Sequence, residues 1–174
     1  MNSKRFLQFL LFGPVLVTLV IVVEIIVGTG LDRMLGLPRL HETFLDYVAA
    51  SLLLVAGLAV VTAAGLKLFR SGRGVPYGDV VKSLQTKSLV KTGPYGFSRN
   101  PMILGYALVL SAVGLYMGSI AGTLLVPVLA LLMLSVWIRL VEEQRLAERF
   151  GEEYLSYQQT VPFLIPIPRR RKRE

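Results

Sequence analysis

A chain of 174 residues that is 53% hydrophobic, with a mean hydropathy of +0.60, carries too little charge to cover a soluble domain. It has no cysteine, which excludes disulfides, thiolate nucleophiles and iron–sulfur ligation, and its single histidine, His41, lies in a loop without the partners of a metal site, so no metal is expected. The formal charge of +8 is clustered beside apolar runs, which points to anionic membrane lipids and to membrane orientation, and away from nucleic acid.

A helix needs roughly 20 apolar residues to cross a bilayer. The first such run extends from Phe6 to Val27. Lys4 and Arg5 before it mimic a signal peptide, but the stretch is too long and no small-residue cleavage pattern follows, so it reads as a retained anchor. Glu24 stands inside this span, where an acid is a functional candidate. Being a turn from Gly28, it is expected to reach the outer interface. The second span covers Phe44 to Phe69, the third Pro101 to Met117 and the fourth Ile120 to Leu140. Gly118-Ser119 is so short a connection that the last two must form an antiparallel hairpin, and Pro127 is expected to kink the fourth helix.

Basic residues orient these spans. Lys67, Arg70, Arg73, Lys82, Lys87, Lys91 and Arg99 face a single acid, Asp79, in the long middle loop, and the chain closes on Arg169-Arg170-Arg171-Lys172-Arg173. The positive-inside rule then puts both termini and this loop in the cytoplasm, which four spans satisfy and three do not. In a prokaryotic cell this is the inner membrane. The expected fold is an all-α integral membrane protein of about four transmembrane helices, with a C-terminal helical hairpin and a pocket at its cytoplasmic face. Residues 1–70 form two N-terminal spans, 71–168 a core of loop, hairpin and C-terminal helix, and 169–174 a basic tail.

The middle loop is dense in glycine and proline and is ordered by turns: Gly72-Arg73-Gly74-Val75-Pro76, then Gly93-Pro94-Tyr95, then Arg99-Asn100-Pro101-Met102. Val90, Tyr95 and Phe97 argue that it packs. Asn100-Pro101 reads as a helix start, with Asn accepting a backbone N–H and Pro in the first turn. That leaves Arg99 unexplained. A second charged group, Arg139, Glu142, Glu143, Arg145, Glu148 and Arg149, follows the fourth span. Its plain reading is a solvated helix laced by pairs such as Arg139 with Glu143. Glu142 and Glu143 emerge where the helix leaves the bilayer, about 100° apart, so one faces a pocket while the other pairs with an arginine. The hairpin brings Arg99–Gly105 beside Arg139–Glu143, a convergence suited to a zwitterionic ligand.

Gly93-Pro94-Tyr95, Arg99-Asn100-Pro101-Met102, Leu104-Gly105, the Glu142-Glu143 pair after one hydrophobic hairpin, and Phe150-Gly151-Glu152-Glu153-Tyr154 with Tyr157 together resemble the signature of the isoprenylcysteine carboxyl methyltransferase family. Related phospholipid N-methyltransferases share it. The resemblance covers about Gly72 to Pro166. It implies S-adenosylmethionine bound at the cytoplasmic face and a lipophilic small-molecule or lipidated acceptor. Glu142 and Glu143 would hold the ammonium and ribose side of the cofactor. Gly93, Pro94, Tyr95, Asn100, Pro101 and Leu104 would wall it, Gly72 and Gly74 would approach it, and Arg99 would orient its carboxylate or the acceptor. Arg99, Asn100, Glu142 and Glu143 are the implied catalytic set. The family's Arg-His-Pro-x-Tyr pattern is altered here to Asn100 and Ile103, and the latter removes a hydroxyl.

Two other readings stay open. One is an NADPH-dependent lipid reductase sharing the C-terminal architecture; the other is a non-catalytic membrane scaffold, which Ile103 favours and the charge cluster opposes. Of the tail, Phe163 to Pro168 is expected along the membrane surface or as a free end, with Tyr154 and Tyr157 as interfacial anchors.

Overall fold

The computed structural model describes residues 3–40, 43–72 and 86–165, with the side chains of the first helix described from Thr18 onward. His41, Gly74 and the basic tail lie outside the described residues. Among the described residues all regular structure is helical. Helix α1 runs Ser3–Leu35, and α2 runs Phe44–Lys67, continuing as a π-turn over Leu68–Gly72. A short α3, Pro94–Phe97, precedes α4, Pro101–Tyr116. A π-turn over Ala121–Leu125 leads into α5, Val126–Trp137, and a second over Ile138–Glu142 leads into α6, Glu143–Phe150. The last helix, α7, is Glu152–Thr160.

Among the described residues, two stretches, Phe44–Gly72 and Ala121–Phe150, are long and apolar enough to cross a membrane. Only 17% and 11% of their apolar windows are buried inside the chain, so neither is the core helix of a soluble protein. Exposed Leu52, Val55, Leu132, Met133 and Val136 along them need an apolar solvent. The spans of the second and fourth runs are therefore legible from composition. The third is a 16-residue helix that starts at Pro101 as expected. The first helix continues past Val27 to Leu35, because Gly28 and Gly30 do not stop it. Pro127 follows a π-turn, in which the Val126 N–H bonds the Ala121 carbonyl; a widened turn accommodates a residue with no N–H of its own.

The chain divides into two compact units. The first comprises the chain up to Leu54 together with Leu108–Leu129. Thr43 and Asp46 open α2 with a reciprocal capping box: the Thr43 N–H donates to Asp46 Oδ2 at 2.9 Å and the Asp46 N–H to Thr43 Oγ1 at 3.3 Å. After α4 the chain reverses through Gly118 at φ +63°. Ser119 Oγ accepts the Gly122 N–H at 2.8 Å, and Asp32 Oδ1 accepts that of Ala121 at 2.8 Å, so two orphan donors of the new helix are satisfied by side chains. Gly114 and Gly122 touch backbone to backbone there: a Cβ on Gly114 would stand 2.1 Å from the Gly122 carbonyl carbon. Glu24 lies in this unit, 3% exposed, against a cleft it lines with Gly28, Gly114 and Gly122. The expectation that it reaches the outer interface is thus corrected: glycines let the neighbouring helix close over it.

The second unit comprises Val55–Ala107 with the chain from Ala130 on. Two small apolar clusters hold it. Ala64, Val90 and Tyr95 pack with Leu68 and Met102, and Tyr154, Tyr157 and Val161 with Leu89, Leu146 and Phe150. Val90 and Tyr95 pack as the loop's composition requires, whereas Phe97 is 70% exposed.

Candidate active site

All of the candidate residues described below belong to the second unit. Gly93 adopts φ +68°, a conformation that penalises any side chain, and turns the chain into α3. This sets Tyr95 inward, 9% exposed, with its carbonyl accepting the Tyr157 hydroxyl at 2.6 Å. Ser98 ends α3, and Arg99 and Asn100 then run against the segment after α7. The Arg99 N–H donates to the Pro162 carbonyl at 2.9 Å and the Asn100 N–H to the Phe163 carbonyl at 3.2 Å. The Asn100 side chain also donates to the Phe163 carbonyl, at 3.3 Å. Asn100 was expected to cap α4 by accepting an N–H; its amide instead ties the helix start to the C-terminal segment. That segment, as far as Phe163, is docked on protein; its continuation from Pro166 lies outside the described residues.

The guanidinium of Arg99 is the centre of the site. Its Nη2 stands 2.9 Å from Glu143 Oε1, and Nη1 donates to the carbonyls of Gln158 at 2.7 Å and Val161 at 3.2 Å. The side chains of the pair are only 12% and 11% exposed. Gln158 Nε2 donates to Glu143 Oε2 at 3.3 Å, and the Tyr154 hydroxyl lies beside both groups. The expected convergence of the start of α4 with the end of the fourth span is therefore found, with Arg99 as Glu143's partner.

The simpler pairing of Arg139 with Glu143 does not form. The π-turn over Ile138–Glu142 adds a residue to the turn and moves Arg139 off the face of Glu143. Arg139 instead lies over the ring of Phe163, its guanidinium carbon 4.5 Å from the centroid, with that of Arg99 5.8 Å from the same ring.

Glu142 is half-buried on the π-turn, and its charge lies close enough to Tyr95 to act on the phenol. Burial first, and then the charge of Glu142, push the Tyr95 phenol up; burial and Glu143 do the same for Tyr154, and burial dominates for Tyr157. All three stay protonated donors. Tyr154 and Tyr157, 2% and 5% exposed, are thus buried braces of the site rather than interfacial anchors, because their hydroxyls find partners inside the protein. Tyr157→Phe is expected to cost about 1–2 kcal/mol, since it leaves the Tyr95 carbonyl without its donor. Urea titration of the detergent-solubilised protein measures it, and an unchanged midpoint would remove the bond from the account.

Of the remaining expected residues, Pro101 begins α4 and is buried, Leu104 is half-buried one turn on, and Ile103 is 5% exposed, an apolar packing position. Gly72 is buried; a Cβ there would meet Val90 at 3.1 Å and Thr86 at 3.2 Å, so the glycine is explained by the close return of the loop. Gln158 and Phe163 were missed by sequence reasoning. Neither residue type stands out in a polar helix and a proline-rich tail, and only the fold brings them to Arg99.

No curated protein matches the chain. The family model for phospholipid methyltransferases matches residues 45–153, well over half of the chain and all of the site from Gly72 to Glu143. That match bears out the resemblance at the level of the wider group, membrane methyltransferases built on apolar helices. The chain belongs to the phospholipid methyltransferase family.

Proposed function

We propose that the protein transfers a methyl group from S-adenosylmethionine to a lipophilic acceptor at the cytoplasmic surface of the membrane, across which four helices pass. The observation that carries this reading is the buried Arg99–Glu143 pair at 2.9 Å with Glu142 beside Tyr95, at the end of an apolar helix. Such a group is costly to bury and has no evident use in a scaffold. The residues present fit the cofactor: Glu142 supplies a carboxylate for its ammonium, and Arg99 Nε, buried without a hydrogen-bond partner among the described residues, is a donor left over for its carboxylate. Pro94, Tyr95, Pro101 and Leu104 supply the apolar wall.

The cofactor, when bound, supplies an electrophilic methyl on a sulfonium. Catalysis then rests on holding donor and acceptor in line, and the rigidity of this site serves that. Glu143, neutralised by Arg99 and held by Gln158, fixes the start of α4 against α6. An acceptor carboxylate is ionised at neutral pH and needs no base, as in isoprenylcysteine carboxyl methylation. An amine acceptor must shed a proton, and Glu142 is placed to take it.

Calorimetric titration with S-adenosylhomocysteine tests the reading. The intact protein is expected to bind it, and Glu142→Ala to weaken binding at least about tenfold, the usual cost of losing a charged hydrogen bond. Failure of the intact protein to bind would overturn the proposal in favour of a non-catalytic scaffold.

A further inference from the structure

Arg139 is the guanidinium that the site does not consume. Arg99 is neutralised by Glu143 at 2.9 Å, and among the described residues no carboxylate pairs with Arg139. It is exposed, yet the Phe163 ring holds it at 4.5 Å, so it is a fixed cation rather than a roaming one. Two guanidiniums thus share one ring, and the carboxylate of Glu143 serves Arg99 and not Arg139.

Its position on the chain adds a second constraint. Arg139 is in the π-turn that ends the apolar run, and Val136, Trp137 and Leu140 around it are 57%, 58% and 60% exposed. An amphiphile lying with its chain along those residues would bring its head group to Arg139. A planar guanidinium with paired donors matches an oxyanion better than any neutral or cationic head group.

Resting on the reading above, we propose that Arg139, steadied on Phe163, binds the anionic group of the lipid acceptor, a phosphate or a carboxylate. It would seat the acceptor while Glu142 and Arg99 hold the cofactor. Arg139 is then a residue of acceptor recognition, separate from cofactor binding.

Native mass spectrometry of the full chain in non-ionic detergent tests this, with dodecyl phosphate and dodecanoate as probes. The intact protein is expected to take up one molecule of at least one probe, and whichever binds more tightly identifies the anion. Arg139→Gln should weaken that binding at least about tenfold, the scale of one charge-assisted contact. Arg139→Lys, which keeps the charge but loses the fork, should weaken it several-fold, and keeps the test decisive should the glutamine variant not fold. Arg70→Gln, an exposed arginine elsewhere in the unit, should bind as the intact protein does. The proposal is overturned if neither probe binds, if both Arg139 variants bind normally, or if Arg70→Gln loses as much. Titration with S-adenosylhomocysteine on the same samples separates the two readings: Arg139→Gln should bind it unchanged. An intact protein that binds a probe through Arg139 but not S-adenosylhomocysteine refutes the methyltransferase reading alone.

Discussion

Glu143→Ala is expected to lower stability by about 3–5 kcal/mol and to abolish methyl transfer, the largest effect of any single change in the second unit. The side chain of Arg99 is 12% exposed, and in this variant its charge would remain buried with, among the described residues, the Gln158 and Val161 carbonyls as acceptors. Breaking one partner of a buried pair is costly because the survivor is uncompensated. The same reasoning separates stability from function. An Arg99→Met, Glu143→Leu double variant removes both charges and keeps much of the volume, so it should recover most of the lost stability while staying inactive. Thermal unfolding in detergent, followed alongside a labelled-methyl assay, reads both quantities. A single variant with an unshifted transition would show that the pair is solvated and contributes little. A double variant that is active would remove it from the site.

Gly114→Ala is expected to be the most damaging change in the first unit, at or above the ~1–3 kcal/mol usual for overpacking. Its Cβ would stand 2.1 Å from the Gly122 carbonyl carbon and 2.3 Å from the Thr123 nitrogen. Both are backbone atoms, so no rotamer change relieves the clash, and the end of α4 must separate from the π-turn beyond Ser119. That would also loosen the cleft at Glu24. Gly30→Ala is the internal control: a Cβ there meets nothing within 4 Å, and the residue is inside α1, so the change should be neutral or favourable by up to about 1 kcal/mol. Equal transition temperatures for the two variants would refute the packing argument.

Much of this molecule is legible in the sequence because the bilayer imposes simple rules. Apolar length marks Phe44–Gly72 and the run from Ala121, Pro101 marks a helix start, and Gly118 marks a reversal. The juxtaposition of Arg99 with the Glu142-Glu143 pair follows from connectivity alone, since a short link between two helices must return the chain. The ordered motif was enough to name the family. Partner choice was not legible. Spacing along an ideal helix pairs Arg139 with Glu143, but one added residue in the π-turn over Ile138–Glu142 undoes that register, and the sequence carries no mark of the widened turn. Glu24, Tyr154 and Phe163 share this cause. Their own neighbours point Glu24 and Tyr154 to an interface and Phe163 to the membrane surface or a free end, yet burial depends on which distant segment packs against each: Gly114 and Gly122 for Glu24, Tyr95 and Gln158 for the tyrosines, Arg99 and Arg139 for Phe163. The chain by itself determined its solvent, its helices and its family. Only the tertiary structure decided which charge meets which, because a buried polar group takes the partner that packing brings within reach.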